Sequence, residues 1–589
     1  MTHKTALSNL LQARRPRPAS ENVSQGRRNF LRGATAGTAA AATLGLAACS
    51  GSEDLSVAYD HGVASGDPLP NAVIVWTRIT VPGTPDVNMT WQVATDAAFA
   101  NIVSSGTVVA TAARDYTVKA DATGLQPATN YFYRFVSFNN VASPAGRTRT
   151  AAAATSAPAS VRFAVFSCSN YPTGFFNVYA EAARRNDFDA ILHLGDFIYE
   201  YERGGFASTN AATLGRLVEP ANEIVSLADY RRRHAQYKTD PDSRALLALA
   251  PLIAVWDDHE FTNDAYMTGA ENHQSTTEGS FAARRAVAVQ AYHEWMPTRV
   301  NATNPDIIYR SFNFGNLVSL HMLDTRIIGR ELQLDYNNFI NPTTGALDAA
   351  GFTAAVSSPT RQLLGATQTT FLQNALTAST ATWQVLGQQI LMGRMNIPAP
   401  ILFEALNPGT GVSVTTYSQL ATRAVTNSPP LTPQEQAILA QPSIPYNLDA
   451  WDGYAAARET VLGTARALNR NLVVLAGDTH NAWASDLLDI SNNQVGVEFA
   501  TSSVTSPGFE EFLPNENPAV LGASLPQLIG PLVYTDTSRR GYMLLTATAT
   551  ECRADWIFVN TIASRTFTAT VGRSLRTLPG AGNRRVVEV

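Results

Sequence analysis

Cysteine and charge are both scarce in this chain of 589 residues. Its three cysteines are too few for the disulfide framework that stabilises small secreted domains. Charged residues make up 15% of the chain and form no long block of one sign, which excludes an acidic or basic tail. The formal net charge of −5 argues against general nucleic-acid binding, and we expect no nucleic-acid partner. Hydrophobic residues, at 45%, are sufficient for large cores in more than one domain.

The first 48 residues are typical of a targeting segment. Arg27 and Arg28 precede a weakly apolar run, 33–48, which is rich in alanine and glycine and short for a membrane span. This pattern resembles a signal read by the twin-arginine translocase. The run ends at Leu-Ala-Ala-Cys49, which resembles a lipobox and would leave Cys49 as a lipid anchor. The alternative is ordinary peptidase cleavage among the alanines. Either way we expect a periplasmic or cell-surface protein.

Segments rich in proline, glycine and serine divide the rest of the chain into regions. Residues 49–57 form a tether, and 58–150 contain short alternating apolar runs typical of an immunoglobulin-like or fibronectin-like β-sandwich. The sequence AAAATSAPAS at 151–160 is a linker by composition. Strand-like runs then alternate with helical stretches, which predicts an α/β domain over 161–565, followed by a tail at 566–589.

Polar residues cluster where the apolar runs of the α/β domain end. Strands are predicted at 161–166, 190–194, 252–256, 317–323, 383–386 and 472–475. The residues that follow them are, in order, Cys168 and Asn170; Asp196 and Tyr199; Asp258, His259 and Asn263; Asp324 and Arg326; Gln389; Asp478 and His480. Any one of these is ordinarily a turn or a capping residue. Strand ends of an open α/β sheet meet at one edge, however, where so many anionic donors would repel each other without cations.

One alternative stays open for Cys168 at this point. If Cys49 is lipidated, Cys168 and Cys552 are the two remaining cysteines, and they could pair as a disulfide instead of serving a metal.

The sequence motifs around these clusters resemble those of a known family. Gly195-Asp196-x-x-Tyr199, Asp258-His259-Glu260 and Gly477-Asp478-x-His480 resemble the calcineurin-like metallophosphatases. The longer segments FSCSN, HLGDFIYEY, VWDDHE and LAGDTHNAW are similar to those of the PhoD-type alkaline phosphatases, and the resemblance spans about 59–559. It implies a metallophosphatase αββα sandwich preceded by a small all-β domain.

The resemblance also implies roles for individual residues. Cys168, Asp196, Tyr199 and His480 would hold Fe(III), because thiolate, phenolate, carboxylate and imidazole suit trivalent iron. Asp196 would bridge to Ca²⁺, and Asp258 and Asp478 offer the oxygen donors that calcium prefers. His259 would act as a donor or general acid, and Arg326 would clamp a phosphoryl oxygen. Four residues are left between a supporting and a purely structural role: Asn170, Asn263, Asp324 and Gln389.

The expected function is therefore an exported hydrolase of phosphate monoesters and diesters, in which a metal-bound hydroxide attacks phosphorus. The alternative within the same superfamily is a phospholipase D-like or cell-wall-polymer phosphodiesterase. A surface-binding lipoprotein with a catalytically dead second domain is disfavoured because the ligand set is intact. Two further expectations are a solvated face for the arginine-rich helix at 231–234 and a loop-rich insertion at 396–447 near the mouth of the site.

Overall fold

The computed structural model describes residues 56–341, 347–406 and 408–589. The predicted signal peptide, most of the tether and Cys49 lie outside these ranges. Within them, no helix has the length and apolar character needed to cross a membrane.

The largest element of the fold is a ten-stranded sheet. From edge to edge its strands are β5 (Thr117–Thr123), β2 (Ala72–Arg78), β1 (Val63–Leu69), β10 (Leu252–Ala254), β9 (Ala190–His193), β8 (Val161–Phe166), β20 (Arg540–Ala547), β21 (Cys552–Val559), β22 (Ala569–Thr577) and β23 (Val587–Glu588). The strands β8, β9 and β10 run parallel. The β8 segment VRFAVF is rich in β-branched and aromatic residues and is buried at five of its six positions, as expected for a central strand covered on both faces.

A seven-stranded sheet supplies the second layer. Its strands, in spatial order, are β11 (Arg310–Phe314), β12 (Val318–Met322), β13 (Trp383–Gly387), β16 (Leu472–Ala476), β18 (Gln494–Ala500), β17 (Ala482–Leu488) and β19 (Leu532–Asp536). The strands β12, β13, β16 and β18 are parallel. The six strands predicted for the α/β region are all present, three in each large sheet. Their observed ends differ from the predicted ends by at most two residues.

The two large sheets share one hydrophobic core. Phe163 and Val165 of β8 lie in the same buried cluster as Val385 of β13 and Val473 of β16. Further cores bury helices against the outside of the sheets, so the α/β region is layered helix–sheet–sheet–helix.

Thirteen helices accompany these sheets in the described ranges. They are α1 (Asn177–Arg185), α2 (Leu227–Thr239), α3 (Pro241–Leu247), α4 (Ser275–Glu278), α5 (Phe281–Trp295), α6 (Ala349–Val356), α7 (Gly365–Ala378), α8 (Ala399–Leu406), α9 (Val414–Thr426), α10 (Pro433–Leu439), α11 (Ala455–Ala467), α12 (Phe509–Phe512) and α13 (Pro518–Leu528). The segment 396–447, expected to be rich in loops, instead contains helices α8 to α10 and a small hairpin, β14 (Asn396–Pro398) with β15 (Ser443–Pro445). Two of its polar residues, Ser413 and Thr432, cap helices α9 and α10.

The N-terminal region is all β, as predicted, but its strands are divided between two sheets. The strands β3 (Val87–Ala94), β4 (Ile102–Ala110), β6 (Asn130–Ser137) and β7 (Gly146–Arg149) form a separate four-stranded sheet. The strands β1, β2 and β5 instead continue the ten-stranded sheet, because β1 pairs in parallel with β10 at Gly66 and Leu252. One layer of the N-terminal sandwich is thus continuous with the sheet of the α/β region.

The segment after residue 565 is also part of this sheet. The strand β22 pairs with β21 along nearly its full length, from Thr577 opposite Cys552 to Ala569 opposite Val559. The predicted boundary between catalytic domain and tail therefore separates strands that hydrogen-bond to one another.

Two lysines lie where the N-terminal strands meet the helices of the α/β region: Lys119 is half-buried and Lys238 is buried. The Lys119 ammonium donates to three carbonyls at the end of α5 and beyond, those of His293 at 2.6 Å, Met296 at 3.2 Å and Thr298 at 2.9 Å. The Lys238 ammonium has no hydrogen-bond partner among the residues the structure describes. It lies 4.7 Å from the ring centre of Trp76 and 5.2 Å from that of Phe197, the residue after Asp196.

Candidate metal centre

The two parallel sets of strands deliver their carboxyl ends to one place between the sheets. Cys168 follows β8, Asp196 follows β9, Asp258 follows β10 and His480 follows β16. All four are buried. This is the position at which open α/β sheets bind ligands.

The first group of donors matches the predicted iron set. Ligand atoms of Cys168, Asp196 and His480 all lie within 4.8 Å of one another. The Tyr199 hydroxyl donates to Asp196 Oδ2 at 2.9 Å and lies 3.3 Å from His480 Nε2. His480 Nδ1 lies 2.7 Å from the carbonyl oxygen of Pro507, which fixes the proton on Nδ1 and leaves the Nε2 lone pair directed at the cluster.

The disulfide alternative for Cys168 is wrong. Both Cys168 and Cys552 are free thiols, and Cys552 is buried within β21. The Cys168 sulfur lies 2.6 Å from Ser167 Oγ, and the Ser167 hydroxyl also accepts from the Asp478 backbone N–H at 3.2 Å.

A second group consists of carboxylates. Oxygens of Asp257, Asp258 and Asp478 lie within 4.8 Å of one another, and Asp258 forms a further such group with Asp196 and His259. Sequence reasoning did not select Asp257, although it directly precedes Asp258. Burial and the neighbouring carboxylates raise the pKa of Asp257 well above its usual range, against the opposing effect of Arg326. Its Oδ2 has no hydrogen-bond partner within the described part of the chain.

Arg326 lies at the centre of these carboxylates. Its guanidinium donates to Asp257, to Asp449 at 2.9 Å and to Asp478 at 3.1 Å, and it lies 3.5 Å from Asp258. The side chain is fully buried, and all three of its nitrogens are engaged with carboxylates. These contacts support a role in ordering the carboxylates, whereas the predicted phosphate clamp needs guanidinium donors directed at substrate.

The backbone is strained at four of the candidate ligand positions. Cys168, Asp196, Asp478 and His480 have φ angles of 61°, 56°, 62° and 64°. Side-chain-bearing residues seldom adopt this left-handed conformation, which costs free energy and persists where the surrounding structure enforces it. The strain directs these side chains out of the strand ends and into the cluster.

His259 is joined to Glu200, a residue that sequence reasoning did not select. His259 Nδ1 lies 2.6 Å from Glu200 Oε2, and both side chains are buried. Burial alone would lower the pKa of His259, but the carboxylates of Glu200, Asp196 and Asp258 outweigh it and raise the pKa to about 10. Glu200 also accepts the Asn263 backbone N–H at 2.7 Å. The Glu200 carboxylate therefore orients the His259 imidazole and favours its protonated form.

Glu260 organises the loops that carry the ligands. Its carboxylate accepts the backbone N–H groups of Asp196 at 2.9 Å, Phe197 at 2.5 Å, Ile198 at 3.2 Å and Asp257 at 2.6 Å. One buried side chain thus fixes the loop after β9 to the loop after β10.

The four residues of uncertain role all make contacts with protein groups. Asn170 donates to the carbonyl of Phe206 at 3.3 Å, and Asn263 donates from its side chain to Glu271 at 3.2 Å. Asp324 accepts from Trp256 Nε1 at 3.1 Å, and burial raises its pKa to about 6. Gln389 donates to the carbonyls of Trp256 and Leu323 and accepts from the Thr325 hydroxyl at 2.7 Å, so it connects three strand ends.

The donor set fits cations. Asp196, Asp257, Asp258 and Asp478 are buried together, and the Arg326 guanidinium lies beside three of them. Burial, Asp196 and Cys168 raise the pKa of the Tyr199 phenol well above its usual range, so ionisation of the phenol requires added positive charge nearby. The cluster contains a thiol, a phenol, an imidazole lone pair and several carboxylates. These donors are numerous enough to bind more than one metal ion.

Comparison with known proteins gives concordant results. The family model "PhoD-like phosphatase" matches residues 163–556, and the model of its N-terminal domain matches 46–152. Alkaline phosphatase D of Bacillus subtilis (strain 168) is 34% identical over 562 residues, which cover 91% of this chain and 85% of that protein. A solved structure described as "Structure of PhoD" superimposes with a TM-score of 0.72 at 31% identity, covering 90% of this chain and 92% of the other.

Proposed function

The chain belongs to the PhoD-like phosphatase family and is a phosphoric ester hydrolase, and from this premise we propose that it hydrolyses phosphate monoesters and diesters at an iron–calcium centre. The observation that carries the proposal is the convergence of Cys168, Asp196, Tyr199 and His480 on one side of a cluster whose other side is built from carboxylates.

We assign Cys168, Asp196, Tyr199 and His480 to Fe(III). Asp196, Asp258 and Asp478 offer oxygen ligands to Ca²⁺, and Asp257 is added to that set from its place in the cluster. When bound, these cations supply Lewis-acid activation of the phosphoryl group and of the attacking water.

The protein's own residues supply the remaining parts of the reaction. We assign His259, whose Nδ1 is hydrogen-bonded to the Glu200 carboxylate, to donating a proton to the leaving-group oxygen. Arg326 donates hydrogen bonds to the carboxylates of three aspartates, which fixes their relative positions and offsets part of their negative charge. Glu260 holds the loops of both ligand groups at fixed separation.

The test compares kcat/KM for nitrophenyl phosphate and bis-nitrophenyl phosphate, with protein purified without chelators. Turnover of both esters, together with about one iron and one or two calcium ions per chain by elemental analysis, is the expected result. Monoester turnover at background would favour the diesterase alternative. Zinc alone, or no metal, would refute the ligand assignment.

Export is a separate proposal and rests on residues 24–50 alone. We propose that Arg27 and Arg28 direct the folded protein to the twin-arginine translocase and that Cys49 becomes its lipid anchor. Replacing both arginines by lysine should retain the protein in the cytoplasm. Mass spectrometry of the mature N-terminus distinguishes a lipidated Cys49 from cleavage at another alanine.

A further inference from the structure

Two partly exposed aromatic side chains flank the buried cluster. Tyr201 and Phe206 are half-buried, whereas the neighbouring Tyr199, His259 and His480 are buried. The ring centres of Tyr201 and His259 are 5.4 Å apart, and those of Phe206 and His480 are 6.1 Å apart. We call Tyr201 and Phe206 the aromatic rim.

The two rim rings are neighbours and are tilted by 48° to each other. Their ring centres are 5.9 Å apart, and the Phe206 ring is also stacked with Tyr199 at 6.3 Å. Tyr199 stacks on His259 at 4.2 Å. A series of nearly parallel rings therefore runs from His259 through Tyr199 to the partly exposed Phe206.

The backbone that carries the rim is held in place. The buried Arg233 donates to the carbonyl of Tyr201 at 3.0 Å, and Asn170 donates to that of Phe206 at 3.3 Å. Thr173 donates to the next carbonyl, that of Ala207, at 3.2 Å. A surface fixed in this way costs little conformational entropy when a ligand binds to it.

We propose that the aromatic rim binds the leaving group of the ester and selects substrates whose leaving group has a planar π face, such as an aryl alcohol or a nucleoside. The inference rests on the proposed function, because it requires the phosphoryl group to bind at the cluster that the rim flanks. Stacking on an aromatic face favours a planar ring over a saturated ring of the same size, which separates the rim from a merely apolar surface.

The test measures binding of benzylphosphonate and cyclohexylmethylphosphonate to the holoenzyme by calorimetry. The two ligands share a phosphonate and differ in the planarity of the ring. We expect benzylphosphonate to bind about 3- to 10-fold more tightly. In the double variant Tyr201→Leu/Phe206→Leu the preference should fall to about 1, whereas Tyr201→Phe/Phe206→Tyr, which keeps both ring faces, should retain it.

Phe138→Leu is the matched control, since Phe138 is an exposed aromatic residue of the N-terminal region (57% exposed). It should leave the preference unchanged. If the double leucine variant does not fold, each single variant should show part of the loss. Equal binding of the two phosphonates by the wild type, or an undiminished preference in the leucine variants, would overturn the inference.

The phosphonates are not hydrolysed, so the result is independent of turnover. A benzyl preference with no hydrolysis of benzyl phosphate would leave the rim in place and contradict the proposed function. Hydrolysis of benzyl phosphate with no preference for benzylphosphonate would support the proposed function and overturn the role of the rim.

Discussion

Replacing Lys238 with methionine is expected to stabilise the protein, by an amount that depends on pH. The ammonium is buried against Trp76 and Phe197 and has no hydrogen-bond partner in the described part of the chain. Burial lowers its pKa from 10.5 to about 7. Methionine fills a similar volume without a polar group, so it removes this cost.

The magnitude follows from the difference in proton binding between the folded and unfolded chain. At pH 8 the unfolded lysine is charged and the folded lysine is largely neutral, and deprotonation over about 2.5 pH units costs about 3 kcal/mol. At pH 10 the unfolded pKa is only about half a unit away, and the cost falls to about 1 kcal/mol.

The sign is fixed by which state binds more protons. Between pH 7 and the unfolded pKa the unfolded chain holds the extra proton, so wild-type stability gains from this group as pH rises. The advantage of Lys238→Met is therefore greatest near neutral pH and shrinks toward pH 10. Below about pH 7 both states are protonated, and the advantage no longer changes.

The assay is denaturant unfolding of wild type and variant from pH 7 to pH 10, compared at equal slope. Lys119→Met is the matched control: burial lowers the pKa of Lys119 as well, but its amino group lies within hydrogen-bond distance of the carbonyls of His293, Met296 and Thr298. That variant should be destabilised, because it leaves the carbonyls unpaired. A Lys238→Met variant that is less stable than wild type at pH 8, or an advantage independent of pH, would refute the reasoning.

Three further predictions concern the metal centre. Cys168→Ala should lose iron, measured by elemental analysis, while circular dichroism stays that of the wild type; full retention of iron and activity would contradict the ligand assignment. Gly195→Ala should impair activity far more than Gly204→Ala: both glycines have positive φ (104° and 88°), but a Cβ at Gly195 would lie 2.3 Å from that of Asp257, whereas at Gly204 nothing lies within 4 Å. Equal effects would exclude the close approach as the cause. Glu260→Gln should lower the denaturation free energy by about 3 kcal/mol, because the amide nitrogen faces backbone donors; an unchanged midpoint would show that the four N–H contacts contribute little.

The strands and the donors that follow them could be predicted because both are local features. The apolar run of β8 ends abruptly before Cys168, and the same pattern recurs before Asp196 and Asp478. Strand direction then implies that these ends meet, without any knowledge of side-chain contacts.

The partners of these donors could not be predicted in the same way. The Tyr199 hydroxyl lies 2.6 Å from Ser506 Oγ, more than 300 residues away along the chain, and Asp449 reaches Arg326 from beyond the insertion. Glu200 is inconspicuous in sequence because its role depends on where His259 lies. Such contacts are determined by tertiary packing.

The expected solvated face at 231–234 was wrong for half of its residues. Arg231 and Arg232 pair with Glu294 and Glu219, but Arg233 and His234 are fully buried. Arg233 is buried because its guanidinium finds backbone carbonyls, including that of Tyr201 at 3.0 Å. An arginine-rich helix does not reveal in sequence which of its charges will have carbonyl partners inside the fold.

The continuity of the N-terminal strands with the catalytic sheet has a consequence for how the chain folds during synthesis. Gly66 of β1 can pair with Leu252 of β10 only after a further 186 residues have been synthesised. At about 5–20 residues per second this takes roughly 10–40 s on the ribosome. The opposite side of the same sheet waits longer still, since β22 begins at Ala569. The central sheet is therefore completed only after nearly all of its chain has been translated, and a translocation route that accepts finished folds matches this order of events.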